Sequence, residues 1–246
     1  MKLLSRTLLT VIVVSAVAFG YWRYDHTDRQ HVAAPEALAA LTSDDVVTVE
    51  PNSWFVFRPT IGAPEKGLIF YPGGECDERG YAQVLRAIAA AGYLVIMPPM
   101  PLQLAVFNPG VAEEIIAEHP EIVSWAIGGH SLGGSMAANF AHNHTDTIDG
   151  LLLWDAYAPN DMSGSDIQAR MIHRSDASGV TPADYESKLP LLPGKIDFVP
   201  LAGAQHLNFG NFIAGRMYRD EPAPLLDPTL QRAMVAAASI QFMDAL

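Results

Sequence analysis

From Lys66 onward the chain alternates between short apolar runs and longer segments with helical spacing, and no other feature limits its folding so sharply. The runs at residues 66–71, 93–97, 124–127, 151–154, 169–173 and 196–201 are rich in Leu, Ile, Val and aromatic side chains. Between them lie helical stretches near 81–91, 111–119, 132–142 and 182–192, with a closing helix over 228–246. Continuous apolar strands separated by helices predict an α/β fold: a mostly parallel sheet with helices on both faces. Residues 46–50 and 54–58, split by Pro51-Asn52, predict an opening hairpin. No segment is long enough for a lid domain, and 246 residues suit one folded unit.

Charge narrows the partners. A formal net charge of -12, with only 15 Lys and Arg dispersed along the chain, excludes a nucleic-acid partner, because phosphate neutralisation needs clustered cations. Cys76 is the single cysteine, which rules out an intramolecular disulfide and a Cys-ligated metal centre. Residues 1–24 open with Lys2 and Arg6, run apolar from Leu8 to Trp22 and close on aromatics. They predict a membrane anchor or signal segment, with the basic residues inside and the body exported. The body is then membrane-anchored, or secreted or periplasmic if the chain is cut near Ala16-Val17-Ala18. Residues 25–43 read as a tether with a short helix over 35–41, and 44–246 as the folded domain.

Chemistry concentrates at Gly128-Gly129-His130-Ser131-Leu132-Gly133-Gly134, between an apolar strand and an Ala-rich helix. This contains G-x-S-x-G in the strand–turn–helix context that makes Ser131 a nucleophile on a sharp turn. The glycines are needed because a side chain two residues from the serine would clash with the neighbouring strand or helix. Such a turn aims the Leu132 N–H at a developing oxyanion, at a helix N-terminus that adds positive potential.

A serine hydroxyl needs a base, which in this motif follows the serine in the order acid, then histidine. His142, His144, His173 and His206 follow Ser131; the first two lie on or at the end of the elbow helix and the third within a strand. His206, in a loop past the last strand, is the candidate base. Two carboxylates leave strand ends before it, Asp155 and Asp176. The later strand is the usual source, and Ala177-Ser178-Gly179 offers a turn to present the acid, so Asp176 is the expected acid and Asp155 the alternative. Gly74, in Pro72-Gly73-Gly74 after residues 66–71, is the candidate second oxyanion donor. His142 and His144 diverge on a helix without a completing carboxylate, so neither a metal nor a cofactor is expected.

Three stretches carry a resemblance: 68–74 with Tyr81 following, 129–134, and 204–210. They resemble the α/β-hydrolase superfamily, and within it the compact, lid-less bacterial branch of dienelactone-hydrolase-like esterases, over about residues 46–246. The resemblance implies a triad of Ser131, Asp176 and His206 with an oxyanion hole of Gly74 and Leu132. It departs from that branch twice: dienelactone hydrolases proper use cysteine where Ser131 stands, and relatives more often lead into their histidine with Gly-Asn than with Ala204-Gln205. The expected activity is hydrolysis of a small-molecule carboxylic ester. Peptidase, thioesterase or acyltransferase chemistry on the same residues, or a membrane-tethered binding protein without turnover, are the alternatives.

Overall fold

The computed structural model describes residues 2–176, 178–180, 183–221 and 223–246. In chain order the elements are α1 (Lys2–Arg29), β1 (Val32–Ala33), α2 (Pro35–Ala39), β2 (Val47–Pro51), β3 (Phe55–Pro59), β4 (Lys66–Tyr71), α3 (Ala82–Ala90), β5 (Leu94–Met97), α4 (Val111–Glu118), β6 (Ser124–His130), α5 (Leu132–Asn143), β7 (Gly150–Trp154), β8 (Gln168–Ser175), α6 (Ala183–Glu186), β9 (Ile196–Ala202), β10 (Phe212–Ala214), α7 (Arg216–Asp220) and α8 (Pro228–Ala245).

Eight strands form one sheet in the order β2-β3-β5-β4-β6-β7-β8-β9. The β2-β3 and β3-β5 pairs are antiparallel and the others parallel. Every residue of β5 and β7 is buried, as expected of strands covered on both faces. Alternation within β4 divides the core. Ile69 and Tyr71 join a layer with α4 and α5, whereas Leu68 and Phe70 join the opposite layer with α3 and α8. Pro228 at the start of α8, with Asp227 accepting from the Thr229 and Leu230 N–H groups at 2.9 Å each, starts that helix sharply.

The chain leaves β4 for β5 on one side and returns to β6 on the other. Loops after β4 and β6 therefore diverge, opening a crevice at their carboxyl ends, where ligands bind in open α/β sheets. Gly74 follows β4 and Ser131 follows β6.

Two sequence expectations need correction. Residues 25–43 are no loose tether: β1 pairs with β10, the His31 N–H donates to Glu75 O at 2.8 Å, and His31, Ala33, Ala34 and Ala37 are buried. Their Ala-rich sequence lacks periodicity because it packs as short pieces against the body. Instead of a helix over 182–192, the chain forms the four-residue α6 and a single 3-10 turn over Leu189–Leu191, where Pro190 cannot extend an α-helix. Pro182, where that helix was expected to begin, lies outside the described residues. Among the described residues no helix is long and apolar enough to cross a membrane, so the expected membrane anchor gains no support.

Candidate active site

Ser131 stands between β6 and α5 with φ +52°, a left-handed backbone that non-glycine residues adopt only when their surroundings hold them there. Its N–H donates to Trp154 O at 3.1 Å, and its carbonyl accepts from Ser135 N–H at 3.0 Å, fastening the turn to β7 and to the first turn of α5. The tight approach explains two of the glycines. A Cβ on Gly133 would lie 2.2 Å from the carbonyl oxygens of both Tyr71 and Pro72, and one on Gly129 would lie 2.5 Å from Tyr71 O.

His206 lies past β9 at the start of a short 3-10 turn, and its Nε2 is 2.9 Å from Ser131 Oγ. On the other side of the ring, Nδ1 is 2.5 Å from Asp155 Oδ2. The loop leading to it is gripped through its backbone. Gln231 of α8, fully buried, accepts from the Gln205 N–H at 3.0 Å and donates to the Gln205 carbonyl at 2.8 Å. The departure at Ala204-Gln205 thus leaves the loop anchored to α8 through the Gln205 backbone.

The carboxylate at His206 is Asp155, not the expected Asp176. β6 and β7 pair with His130 opposite Trp154, so the next residues, Ser131 and Asp155, leave the sheet side by side. On β8 the residue level with Trp154 is Ile172, and Asp176 stands four positions beyond it. That places Asp176 three positions, roughly 10 Å, beyond the level of Asp155 and one strand further away. Its oxygens are used locally: one carboxylate oxygen accepts from Ser178 N–H at 2.8 Å, Ser178 Oγ–H at 2.7 Å and Val180 N–H at 2.9 Å. Asp176 thus closes its own exposed turn.

Asp155, with φ +44° and a side chain fully removed from solvent, is held from several sides. Besides His206 it accepts from Arg174 N–H at 3.1 Å and pairs with Arg174 Nε at 2.9 Å. Burial alone would raise its pKa, but hydrogen bonding and charge from His206, then the charge of Arg174 and a bond from Tyr185, outweigh it. The group stays well below the usual carboxylate range and is ionised. The strand that was expected to supply the acid supplies Arg174 to the acid instead. Nothing in the one-dimensional pattern marks Arg174, Tyr185 or Gln231 for these tasks, since each acts through register or loop placement.

Gly74 and Leu132 come together as expected of neighbours in one crevice: a Cβ on Gly74 would lie 3.0 Å from Leu132 Cδ2 and 3.4 Å from Leu132 Cβ. The residue before Gly74 is fixed from below. Gly73 N–H donates at 3.2 Å to the Tyr81 hydroxyl, which in turn donates to His130 Nδ1 at 2.8 Å. Burial first, and the neighbouring His206 second, hold His130 well below the ordinary imidazole range, so it stays neutral and can accept that bond. Cys76 is buried and its thiol is pushed up to about 12 by burial, which keeps it protonated. Among the described residues no cluster of three His, Cys, Asp or Glu is placed to hold a metal ion.

A family model described as alpha/beta hydrolase family matches residues 67–227, well over half of the chain. The chain belongs to the alpha/beta hydrolase family. The match begins in β4 and ends before α8, so Gly74, Ser131, Leu132, Asp155 and His206 all fall inside the family region. No curated protein sequence matches the chain.

Solved structures share the alpha/beta hydrolase fold at low identity. One, reported with the metagenome-derived lipolytic enzymes LipS and LipT, aligns with TM-score 0.55 and 11% identity over 75% of this chain and 95% of that one. Est1E from Butyrivibrio proteoclasticus, bound to ferulic acid, aligns with TM-score 0.57 and 10% identity over 80% and 96%. A soluble variant of monoglyceride lipase from Saccharomyces cerevisiae, in complex with a substrate analogue, aligns with TM-score 0.58 and 10% identity over 83% and 97%.

Proposed function

We propose that this alpha/beta hydrolase cleaves a small-molecule carboxylic ester through a covalent acyl-enzyme on Ser131. One observation carries the reading: a hydroxyl, an imidazole and an ionised carboxylate are joined in a line, with Ser131 Oγ 2.9 Å from His206 Nε2 and His206 Nδ1 2.5 Å from Asp155. In this scheme His206 takes the serine proton as Oγ attacks the ester carbonyl, then returns it to the leaving alcohol. Asp155 fixes the tautomer with Nδ1 protonated and stabilises the imidazolium. The N–H groups of Gly74 and Leu132 receive the oxyanion, the latter at the N-terminus of α5. Water then repeats the sequence to release the acid, with no cofactor. The lipolytic enzyme and esterase folds to which the chain is similar support the ester as substrate. The finer placement among dienelactone-hydrolase-like esterases rests on the three sequence motifs.

The test is covalent. A fluorophosphonate probe is expected to add its mass to the peptide carrying Ser131, and Ser131→Ala is expected to remain unlabelled. An unlabelled native protein that also leaves short acyl esters intact would end the proposal.

A further inference from the structure

The C-terminal end of α1 does not hang free of the body but is clamped to it beside the oxyanion loop. Arg216 pairs with Asp25 at 2.8 Å and Asp28 at 2.9 Å, Arg219 pairs with Asp28 at 2.6 Å, and Arg29 bridges Asp25 at 2.8 Å and Glu75 at 3.7 Å. Between this helix end and the loop after β5 lies a cavity of about 310 Å³, walled by Trp22 and His26 on one side and Leu102, Leu104 and Phe107 on the other. Two of its lining residues neighbour Gly74. Glu75, which lines it, follows Gly74, and Leu104, which also lines it, lies 3.4 Å from where a Cβ on Gly74 would stand.

The junction is held tightly. Glu75 N–H donates to Gln103 O at 2.9 Å, and Glu75, Leu102 and Gln103 all take left-handed backbone angles with φ between 53° and 57°. Such angles persist where the surroundings enforce them, so the shape of this wall is fixed rather than adaptable.

We infer that this cavity is the specificity pocket of the ester hydrolase proposed above, and that it takes a neutral aryl arm of the ester. The inference rests on that reading of Ser131. The chemistry of the lining selects the class. Trp22 and His26 lie stacked, with ring planes 4° apart and centroids separated by 5.4 Å, and share the cavity lining with Phe107. Flat rings bind in such surroundings by offset or edge-to-face contact. The carboxylates of Asp25 and Glu75 are already met by Arg29, so a charged arm would find no uncompensated partner, whereas a ring hydroxyl would find acceptors. Size agrees: a cavity of about 150 Å³ admits benzene, so this one has room for a substituted ring.

The experiment uses the full chain and three esters of increasing demand: ethyl acetate, ethyl 3-phenylpropanoate with the ring on the acyl arm, and benzyl acetate with it on the alcohol arm. Native protein is expected to favour one aryl ester over ethyl acetate, which also assigns the pocket to that arm. Trp22→Ala and Phe107→Ala change exposed side chains, at 42% and 57% exposure, so folding should survive both. Each is expected to lower kcat/KM for the favoured aryl ester about tenfold, chiefly through KM, with ethyl acetate turnover within about twofold of native. Equal loss on ethyl acetate, no loss on either aryl ester, or no aryl preference in native protein would overturn the pocket while leaving the hydrolase reading intact. If native protein cleaves none of the three and Ser131 resists the fluorophosphonate probe, the hydrolase reading fails and the pocket with it.

Discussion

Asp155→Asn is expected to lower kcat on a short acyl ester by about 10⁴-fold, whereas Asp176→Asn leaves it within about twofold. The amide that replaces Asp155 presents a donor to His206 Nδ1, which favours the tautomer with the proton on Nε2. That tautomer cannot accept from Ser131 Oγ, now 2.9 Å away. The neutral amide also gives up the charge that stabilises the imidazolium, in a position fully screened from water where charge matters most. Asp176 is a sharp control because it is also a carboxylate and leaves the next strand, yet among the described residues its side chain bonds within its own turn, to Ser178 and Val180. Steady-state kinetics of the two variants, with Tm measured for both, separate the assignments. A large loss in Asp176→Asn alongside an active Asp155→Asn would reverse them.

Gly133→Ala is expected to remove nearly all activity and to lower Tm by about 2–12 °C. One methyl group there would lie 2.2 Å from two backbone oxygens, those of Tyr71 and Pro72, and backbone cannot swing aside as a long side chain can. Either α5 lifts from the end of β4 or the loop bearing Gly74 is pushed outward. Both separate the N–H groups of Leu132 and Gly74, and overpacking of this kind costs about 1–3 kcal/mol. A domain of this size loses about 2–4 °C per kcal/mol. Gly164→Ala makes the comparison, since a Cβ there meets nothing within 4 Å. Thermal melts and ester hydrolysis of the pair read both effects, and a Gly133→Ala protein with native Tm and rate would refute the close-packed turn.

The strands and the turn were legible because local chemistry sets them. β4 and β7 are continuous apolar runs whose side chains alternate onto two cores, and a pattern of period two reads directly from residues. Gly129, Gly133 and Gly134 around Ser131 declare a close approach that no other residue permits. His206 could be reached by elimination, since the other histidines after Ser131 fall inside regular elements or at the end of α5. The short α6 was misjudged because Pro190 and a tertiary contact, the buried Tyr185 beside Asp155, outweigh local helical spacing.

What sequence alone determined was the alternating sheet, the strained serine turn and the histidine loop, each specified by residues within a few positions of one another. Only tertiary structure decided which carboxylate meets His206, that Arg174 shares it, and that the end of α1 walls a cavity beside Gly74. Those depend on strand register and on packing between residues far apart in the chain. Two aspartates after two strands look alike in a sequence, but the pairing of His130 with Trp154 lifts Asp155, and not Asp176, to the level of Ser131.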